Sequence, residues 1–291
     1  FRRANASLRH VLWVAGLYSL LLIPLTSGLL PTLDIPLFRI DLMGGGNGLE
    51  PSVPTSVQSS VMEWDTPAIL MILYLSGILT VLSWQCIGRW YAFRLRRKSS
   101  TIDQSDLNLR LQQLQEALNI RTPVRLLRSS LASIPFSTGW LRPAIVLPEG
   151  VESWHASVQE SVLIHELAHI KRNDILLRIL AQAGCSLHWI NPLAWYGFGR
   201  MMMEQEIACD NQVLWAGTKP SDYACNLLTF AKTRRGYLDF ALTPLGRRSE
   251  LKHRLMEILK PSRSRAPLPS GPLLFFLALV WIHLRPCSMI N

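Results

Sequence analysis

The sequence is poor in cysteine and in charged residues. It has five cysteines among 291 residues, and no two of them form a C-x-x-C pair. Because five is an odd number and the cysteines are scattered through apolar segments, a disulfide framework is excluded and we expect reduced, structural thiols. Charged residues make up 17% of the chain and apolar residues 49%, which also excludes an intrinsically disordered protein.

Acidic residues are the scarcer of the two charges. The chain has 20 Asp and Glu against 30 Lys and Arg, a net charge of +10, which in a soluble protein would suggest a nucleic acid or an anionic surface as partner. The basic residues, however, gather at the ends of apolar stretches, and no nucleic-acid recognition motif accompanies them. We therefore expect no direct nucleic-acid partner. The alternative is a basic, membrane-anchored nucleic-acid-binding protein, and salt-dependent retention on DNA would favour it.

Long uncharged stretches predict a membrane protein with the lipid bilayer as a partner. Residues 11–33 and 67–88 each have the roughly 20 residues that a helix needs to span a bilayer. Residues 179–199 form a third apolar stretch, and 266–284 form a shorter fourth one. A purely soluble protein is therefore not expected.

The distribution of Lys and Arg predicts the orientation in the membrane. Residues 34–66 hold five acidic residues and only Arg39 as a basic one, whereas five basic residues lie in 89–98. Basic residues stay on the cytoplasmic side of a membrane helix. We therefore predict a multi-pass protein of a bacterial-type cytoplasmic (inner) membrane. Its parts are an N-terminal tail with a first transmembrane helix (1–33), an extracytoplasmic loop (34–66), a second transmembrane helix (67–88), a cytoplasmic domain (89–265) and a C-terminal hydrophobic segment (266–291).

The motif H-E-x-x-H occurs at residues 165–169. Residues four apart share one face of a helix, so His165 and His169 can bind one zinc ion while Glu166 acts as the general base. With seven histidines in the chain, fewer than about one such sequence in a hundred would contain the motif by chance. The alternative is a helix with unrelated surface histidines. Ser157 and Glu160 match a capping box and predict that the helix begins there.

A catalytic zinc ion needs a third protein ligand and an open fourth position. Glu206 is the candidate, because Asp210, four residues later, could place a second carboxylate on the outer N–H of a ligating histidine. A solvated acidic helix face is the alternative interpretation, and Glu204 stays open as the ligand. We interpret Cys209 as a packing residue.

The third apolar stretch cannot cross the bilayer if this site exists. A full crossing would place Glu206 about 30 Å from the two histidines, on the opposite side of the membrane. Asn191 and Pro192 are typical turn residues. We therefore predict a helical hairpin near residues 175–200 that dips into the membrane and returns Glu206 to the cytoplasmic face.

The cytoplasmic part also contains a small α+β module. The patterns predict an amphipathic helix at 107–118, strands at 124–127 and 144–147, and an edge strand at 135–140. An extended peptide can add to such an edge as a further strand. The edge residues that we expect to contact a substrate are Thr138, Gly139 and Trp140.

These segments together resemble the BlaR/MecR-type integral-membrane zinc peptidases, a family of antirepressors and their sensorless relatives. The motifs that carry the resemblance are LWVAGL (12–17), GWLRP leading to IVLP (139–148), HELAHIKRND (165–174), NPLAW (191–195), E-x-E-x-x-C-D (204–210) and LKHRL (251–255). The resemblance implies a gluzincin fold with His165, His169 and Glu206 as zinc ligands and Glu166 as base, facing the cytoplasm. The expected fold class is a mainly α membrane protein with a small α+β gluzincin-type zinc peptidase module.

The resemblance also implies a function. We expect a membrane-embedded, zinc-dependent endopeptidase that cleaves a cytoplasmic protein, such as a transcriptional repressor, in signal transduction; self-cleavage around Arg247 and Arg248 is also considered. The alternative is a non-catalytic membrane signal-transducing protein with a structural or vestigial zinc site, and metal-dependent cleavage would separate the two. His253 is a candidate for stabilising the oxyanion, with a surface histidine on a basic helix as the alternative.

Two features of the resembling family concern the ends of the chain. Its members usually have one more hydrophobic helix ahead of the first one here, so we expect Phe1 to lie within a longer protein. Its sensor members carry an extracellular ligand-binding domain after the last helix, whereas this sequence ends at Asn291. We therefore do not expect the resemblance to extend to beta-lactam sensing.

Overall fold

Helices dominate the computed structural model, which describes residues 6–27, 66–103, 105–233 and 247–260. The α-helices are α1 (Ala6–Ser27), α2 (Thr66–Lys98), α3 (Ser105–Ala117), α4 (Ala156–Lys171), α5 (Asp174–Leu187), α6 (Pro192–Trp215), α7 (Pro220–Thr233) and α8 (Arg247–Ile258). The strands are β1 (Ser100–Thr101), β2 (Arg125–Ser129), β3 (Phe136–Thr138) and β4 (Ala144–Pro148). The expected mainly helical fold with a small sheet is confirmed. The predictions for residues 34–65 and 266–291 lie outside the described residues.

The four strands form one mixed sheet in the order β1-β2-β4-β3. Strand β4, one of the two inner strands, is buried along its whole length, and it pairs with β2 in parallel and with β3 in antiparallel orientation. Its side chains Ile145 and Leu147 pack with Leu163 and Leu167 of α4 in one core. The sheet therefore fixes the helix that carries the H-E-x-x-H motif, and it leaves β3 at its edge.

The helix α4 begins at Ala156, and its N-cap is His155. The Nδ1 atom of His155 accepts a hydrogen bond from the backbone N–H of Ser157 at 3.3 Å. The predicted capping box at Ser157 is therefore wrong. The imidazole of His155 already supplies the acceptor that a cap needs, so the helix begins earlier than the sequence pattern indicates.

Helices α5 and α6 form the predicted hairpin, with its turn at residues 188–191. Asn191 caps α6 by accepting a hydrogen bond from the backbone N–H of Leu193 at 3.0 Å, and Pro192 fits the first turn because that position needs no donor. At the turn, the Trp189 indole donates to the Tyr74 carbonyl of α2 at 3.3 Å. The reversal brings Glu206 back beside α4. How deeply the hairpin enters a membrane stays a prediction.

Within the described residues, α2 is the one helix that is long and apolar enough to cross a membrane. It continues ten residues beyond the predicted end at residue 88, because no helix breaker interrupts the basic segment that follows. At 33 residues it would measure about 50 Å, which exceeds the roughly 30 Å hydrocarbon core. Leu70 and Leu79 are each 66% exposed, as lipid-facing side chains would be.

The helix α1 (Ala6–Ser27) overlaps the first predicted membrane stretch, residues 11–33, and begins five residues before it. In residues 6–20, the part of α1 whose side chains are described, Val14, Leu17 and Tyr18 are buried in one core with residues of α5 and α6. This part of α1 is therefore covered on one side by protein. Membrane crossing by α1 stays a prediction.

Candidate functional site

Three potential metal-ligand atoms converge where α4 meets α6. The Nε2 atoms of His165 and His169 are 3.3 Å apart, and each lies 3.6 Å from an oxygen of Glu206. Ligand atoms around a tetrahedral zinc ion lie about 3.3 Å apart, given zinc–ligand distances near 2.0–2.1 Å. The donor set and its spacing therefore fit a zinc ion. Among the described residues, this group contains three ligands, as in catalytic rather than structural sites.

Carboxylates fix the outer nitrogen of both histidines. The Nδ1 atom of His169 lies 2.9 Å from Asp174, and the Nδ1 atom of His165 lies 3.3 Å from Asp210 and 3.0 Å from the Tyr223 hydroxyl. These contacts leave both Nε2 atoms facing Glu206. Such outer partners set the tautomer and the ring orientation of metal-binding histidines. Asp210 lies where the sequence predicts it, whereas Asp174 and Tyr223 were missed.

Glu204 points to a different part of the protein. Its side chain is 1% exposed and contacts Arg9 of α1 at 2.7 Å and Arg200 at 3.2 Å. Residues two apart on a helix do not share a face, so Glu204 and Glu206 cannot serve one site together. The geometry favours Glu206 over Glu204 as the ligand.

Arg254 of α8 holds two of the three carboxylates of α6, those of Glu206 and Asp210. Its Nε and Nη2 atoms donate to Asp210 at 2.8 and 2.7 Å, and its Nη1 atom lies 2.9 Å from Glu206. Burial would raise the pKa of Glu206 and Asp210, but Arg254 and His165 hold the pKa of Glu206 well below its ordinary value and that of Asp210 at about 2. Both groups are therefore charged at neutral pH. The adjacent His253 does not line the cleft, so Arg254, rather than the predicted His253, faces the site.

Cys209 lies behind His169, with its sulfur 3.4 Å from Nδ1 of His169 and 3.8 Å from Asp174. Burial, and then the negative charge of Asp174, raise the pKa of the Cys209 thiol well above its ordinary value. The sulfur contacts Nδ1, the outer nitrogen of His169, whereas Nε2 faces Glu206, so Cys209 does not belong to the group of His165, His169 and Glu206. The interpretation of Cys209 as a packing residue stays a prediction.

The ligand group lies in a cleft of about 1300 Å³. Glu166 lines this cleft with 7% of its surface exposed. The edge strand β3 lines it too, together with the residues that the sequence predicts to contact substrate: Thr138, Gly139 and Trp140. Gly139 has a φ of +83°, and a Cβ there would lie 2.6 Å from the backbone oxygen of Arg142. Glycine is therefore required at this turn next to the edge strand.

We expect Glu206→Gln to weaken zinc binding by more than about 100-fold, because loss of an outer partner alone typically costs 10–100-fold. Glu204→Gln is the matched control on the same helix. It should keep zinc while lowering thermal stability, since the buried Arg9 loses its carboxylate. Zinc content per purified chain and a chelator competition titration give the comparison. Retained zinc in Glu206→Gln together with loss in Glu204→Gln would contradict the assignment.

Zinc binding should depend on pH through His165. Burial alone would lower the pKa of His165, but hydrogen bonds to Asp210 and Glu206 raise it to about 10 in the metal-free site. Zinc binds the neutral imidazole, so binding must release this proton at every pH below that value. We expect the affinity to rise about tenfold per pH unit over the neutral range. Calorimetric titration with zinc in two buffers of different ionisation enthalpy counts the released proton. A zinc affinity that does not change with pH would contradict proton release from His165.

The fold and the site define a mainly helical protein with a small mixed sheet, in which two histidines and a glutamate are grouped as metal ligands beside a cleft. The family model of the BlaR1 peptidase M56 matches residues 42–258. The chain therefore belongs to the M56 peptidase family, whose members are generally metallopeptidases. The resemblance to BlaR/MecR-type peptidases is confirmed.

Individual relatives match parts of the chain. It is 31% identical over 121 residues to the regulatory protein BlaR1 of Bacillus licheniformis, which covers 42% of this chain and 20% of that protein. It is 27% identical over 175 residues to the methicillin resistance mecR1 proteins of Staphylococcus aureus and Staphylococcus epidermidis, which covers 58% of this chain and 29% of each relative. The matched stretch spans less than a third of the length of these relatives.

Proposed function

We propose that the protein is a zinc-dependent membrane endopeptidase that cleaves a cytoplasmic protein in signal transduction. The observation that carries the proposal is the spacing of 3.3–3.6 Å among His165, His169 and Glu206 in a cleft that Glu166 also lines. A structural zinc site is usually closed by four protein ligands. Three ligands beside an open cleft therefore favour catalysis over the alternative of a structural or vestigial site.

Each residue of the proposed site has a separate task. His165, His169 and Glu206 would hold zinc, and Asp174, Asp210 and Tyr223 would keep the two rings oriented. Zinc in such a site supplies Lewis-acid chemistry, which polarises a peptide carbonyl and acidifies water.

Glu166 lines the same cleft and, among the described residues, does not belong to the group of metal ligands, so we assign its carboxylate to proton transfer. It would take the proton of the attacking water and pass it to the leaving amine. The free edge of β3 would hold the substrate as an added strand, because the strand lines the same cleft.

The natural substrate that we propose is a transcriptional repressor, the protein itself, or both. Cleavage at Arg247 and Arg248 would require the first turn of α8 to unwind, because α8 begins at Arg247. Comparison of protein fragments in cells that express the intact protein or Glu166→Gln tests the proposal directly. Fragments that disappear with Glu166→Gln identify substrates, whereas identical fragments and unchanged signalling would favour the non-catalytic alternative.

We expect the loop around Gly46 to be extracytoplasmic and α3 to be cytoplasmic. The reason is the excess of basic residues after residue 88 and of acidic residues in 34–66. In a variant without the native cysteines, a membrane-impermeant thiol reagent should label Gly46→Cys in intact cells and leave Gln113→Cys unlabelled. Labelling of Gln113→Cys alone would place the cleft outside and overturn the proposal of a cytoplasmic substrate.

A further inference from the structure

Helix α5 carries a polar stripe along an otherwise apolar sequence. Asp174, Arg178, Gln182 and Ser186 follow one another at intervals of four residues, which places them on one face of the helix. The stripe begins at Asp174, the partner of His169, and runs toward the hairpin turn. Asp174, Arg178 and Gln182 also line the cleft. Charged groups in such an apolar hairpin are costly, so a function for them is expected.

Helix α2 contributes polar groups to the same wall of the cleft. Gln85 donates to the Ser186 hydroxyl at 3.0 Å and to the Gln182 carbonyl at 3.2 Å. Arg89 donates from Nη2 to the side-chain oxygen of Gln182 at 2.7 Å. Because Gln182 is one helical turn from Arg178, Arg89 and Arg178 lie along one wall.

Neither guanidinium on this wall has a carboxylate partner among the described residues. The partner of Arg89 is a neutral amide, and the Nε atom of Arg178 is buried without a hydrogen bond. Asp174, one turn from Arg178, is engaged by His169 and Arg172. Both arginines are half-buried, and a partly desolvated guanidinium without an anion is unfavourable, so this wall is complementary to an anion that binds in the cleft.

We propose that Arg89 and Arg178 form a subsite for an aspartate or glutamate side chain of the polypeptide substrate. This inference rests on the proposed endopeptidase function and adds a substrate preference to it. Both arginines line the cleft that also contains Glu166 and the edge strand β3, which favours a bound peptide over a lipid headgroup as the source of the anion. Guanidinium groups bind carboxylates through paired, charge-assisted hydrogen bonds.

A binding experiment tests the subsite without requiring cleavage. The full chain carrying Glu166→Gln, in non-ionic detergent, is titrated against fluorescein-labelled, alanine-rich decapeptides. One series carries a single glutamate at successive positions, and the matched series carries glutamine instead. Anisotropy should show at least one register in which the glutamate peptide binds about tenfold more tightly than its glutamine partner, as expected for charge-assisted hydrogen bonds.

Substitution of the arginines should remove this preference. Arg89→Gln and Arg178→Gln should bind both peptide series alike while their zinc content stays unchanged, and Arg178→Lys should keep part of the preference because it keeps the charge. Arg121→Gln is the matched control, since Arg121 is exposed and lies outside the cleft, and it should keep the full preference.

The outcomes separate the subsite from the proposed function. Any of three results would overturn the subsite: equal affinity for both peptide series, no binding of either series, or a preference for glutamate that persists when both arginines are replaced. The endopeptidase function is judged by zinc-dependent cleavage with the intact protein. Cleavage without an acidic preference would remove the subsite alone, whereas a preference without any cleavage would keep the subsite and remove the endopeptidase.

Discussion

Replacement of Glu166 by glutamine is expected to abolish peptide cleavage while zinc stays fully bound. Glu166 lines the cleft beside His165 but does not belong to the group of metal ligands. Glutamine keeps the size of the side chain and cannot take a proton from water. General bases typically contribute 10²–10⁴-fold to a rate, so we expect a loss of at least about that size.

His165→Ala is the control for this experiment, because it should lose zinc as well as activity. The two variants should thus look alike in a cleavage assay and differ in zinc content. The measurement uses both proteins in detergent, with zinc determined per chain and proteolysis followed on the chain itself and on a peptide mixture. Full activity in Glu166→Gln would remove Glu166 from the mechanism, and loss of zinc from this variant would make it a ligand.

Replacement of Arg254 by leucine is expected to destabilise the metal-free protein by about 3–5 kcal/mol, the range found when one partner of a buried ion pair is removed. The guanidinium holds Glu206 and Asp210, and its own side chain is 12% exposed. Without it, the buried carboxylate of Asp210 and the half-buried carboxylate of Glu206 have less compensating charge. A zinc ion would restore part of that charge, so zinc should stabilise Arg254→Leu more than it stabilises the unchanged protein.

Thermal melts of both proteins with and without zinc give this comparison. Arg254→Lys keeps one positive charge but not the paired hydrogen bonds. Its zinc-induced rise in melting temperature should therefore lie between those of Arg254→Leu and the unchanged protein. His253→Leu is the neighbouring control and should have a small effect, since His253 does not line the cleft. An equal zinc-induced shift in Arg254→Leu and in the unchanged protein would show that Arg254 does not share the charge of the metal site.

The helical part of the site could be predicted from the sequence because its spacing is local. His169 follows His165 by four positions, as Asp210 follows Glu206, and a helix places residues at that spacing on one face. The hairpin could be predicted as well, because a complete crossing by residues 179–199 would separate Glu206 from the histidines. Both inferences need only helix geometry and the thickness of a bilayer.

The remaining partners arise from contacts that no local spacing encodes. Asp174 reaches His169, five positions earlier, because α4 ends with its C-cap at Arg172 and Asn173, at a φ of 55°, turns the chain into α5. Arg254 meets Asp210 across 44 positions of sequence. The burial of Glu204 depends on Arg9, 195 positions away. Contacts across 44 or 195 positions are set by tertiary packing, and a single sequence gives no signal for them.

Under the proposed endopeptidase function, the position of β3 at the edge of the described sheet has a consequence for which proteins could be cut. A strand that adds to this edge must be extended over several residues, whereas most of a folded protein is helical or already paired. A segment inside a folded domain must therefore unfold locally before it can enter the cleft. The rate of cleavage would follow the free energy of that local opening when opening is fast relative to cleavage. Flexible linkers and chain ends would then be cut first, and a ligand that stabilises the target protein would protect it without touching the peptidase.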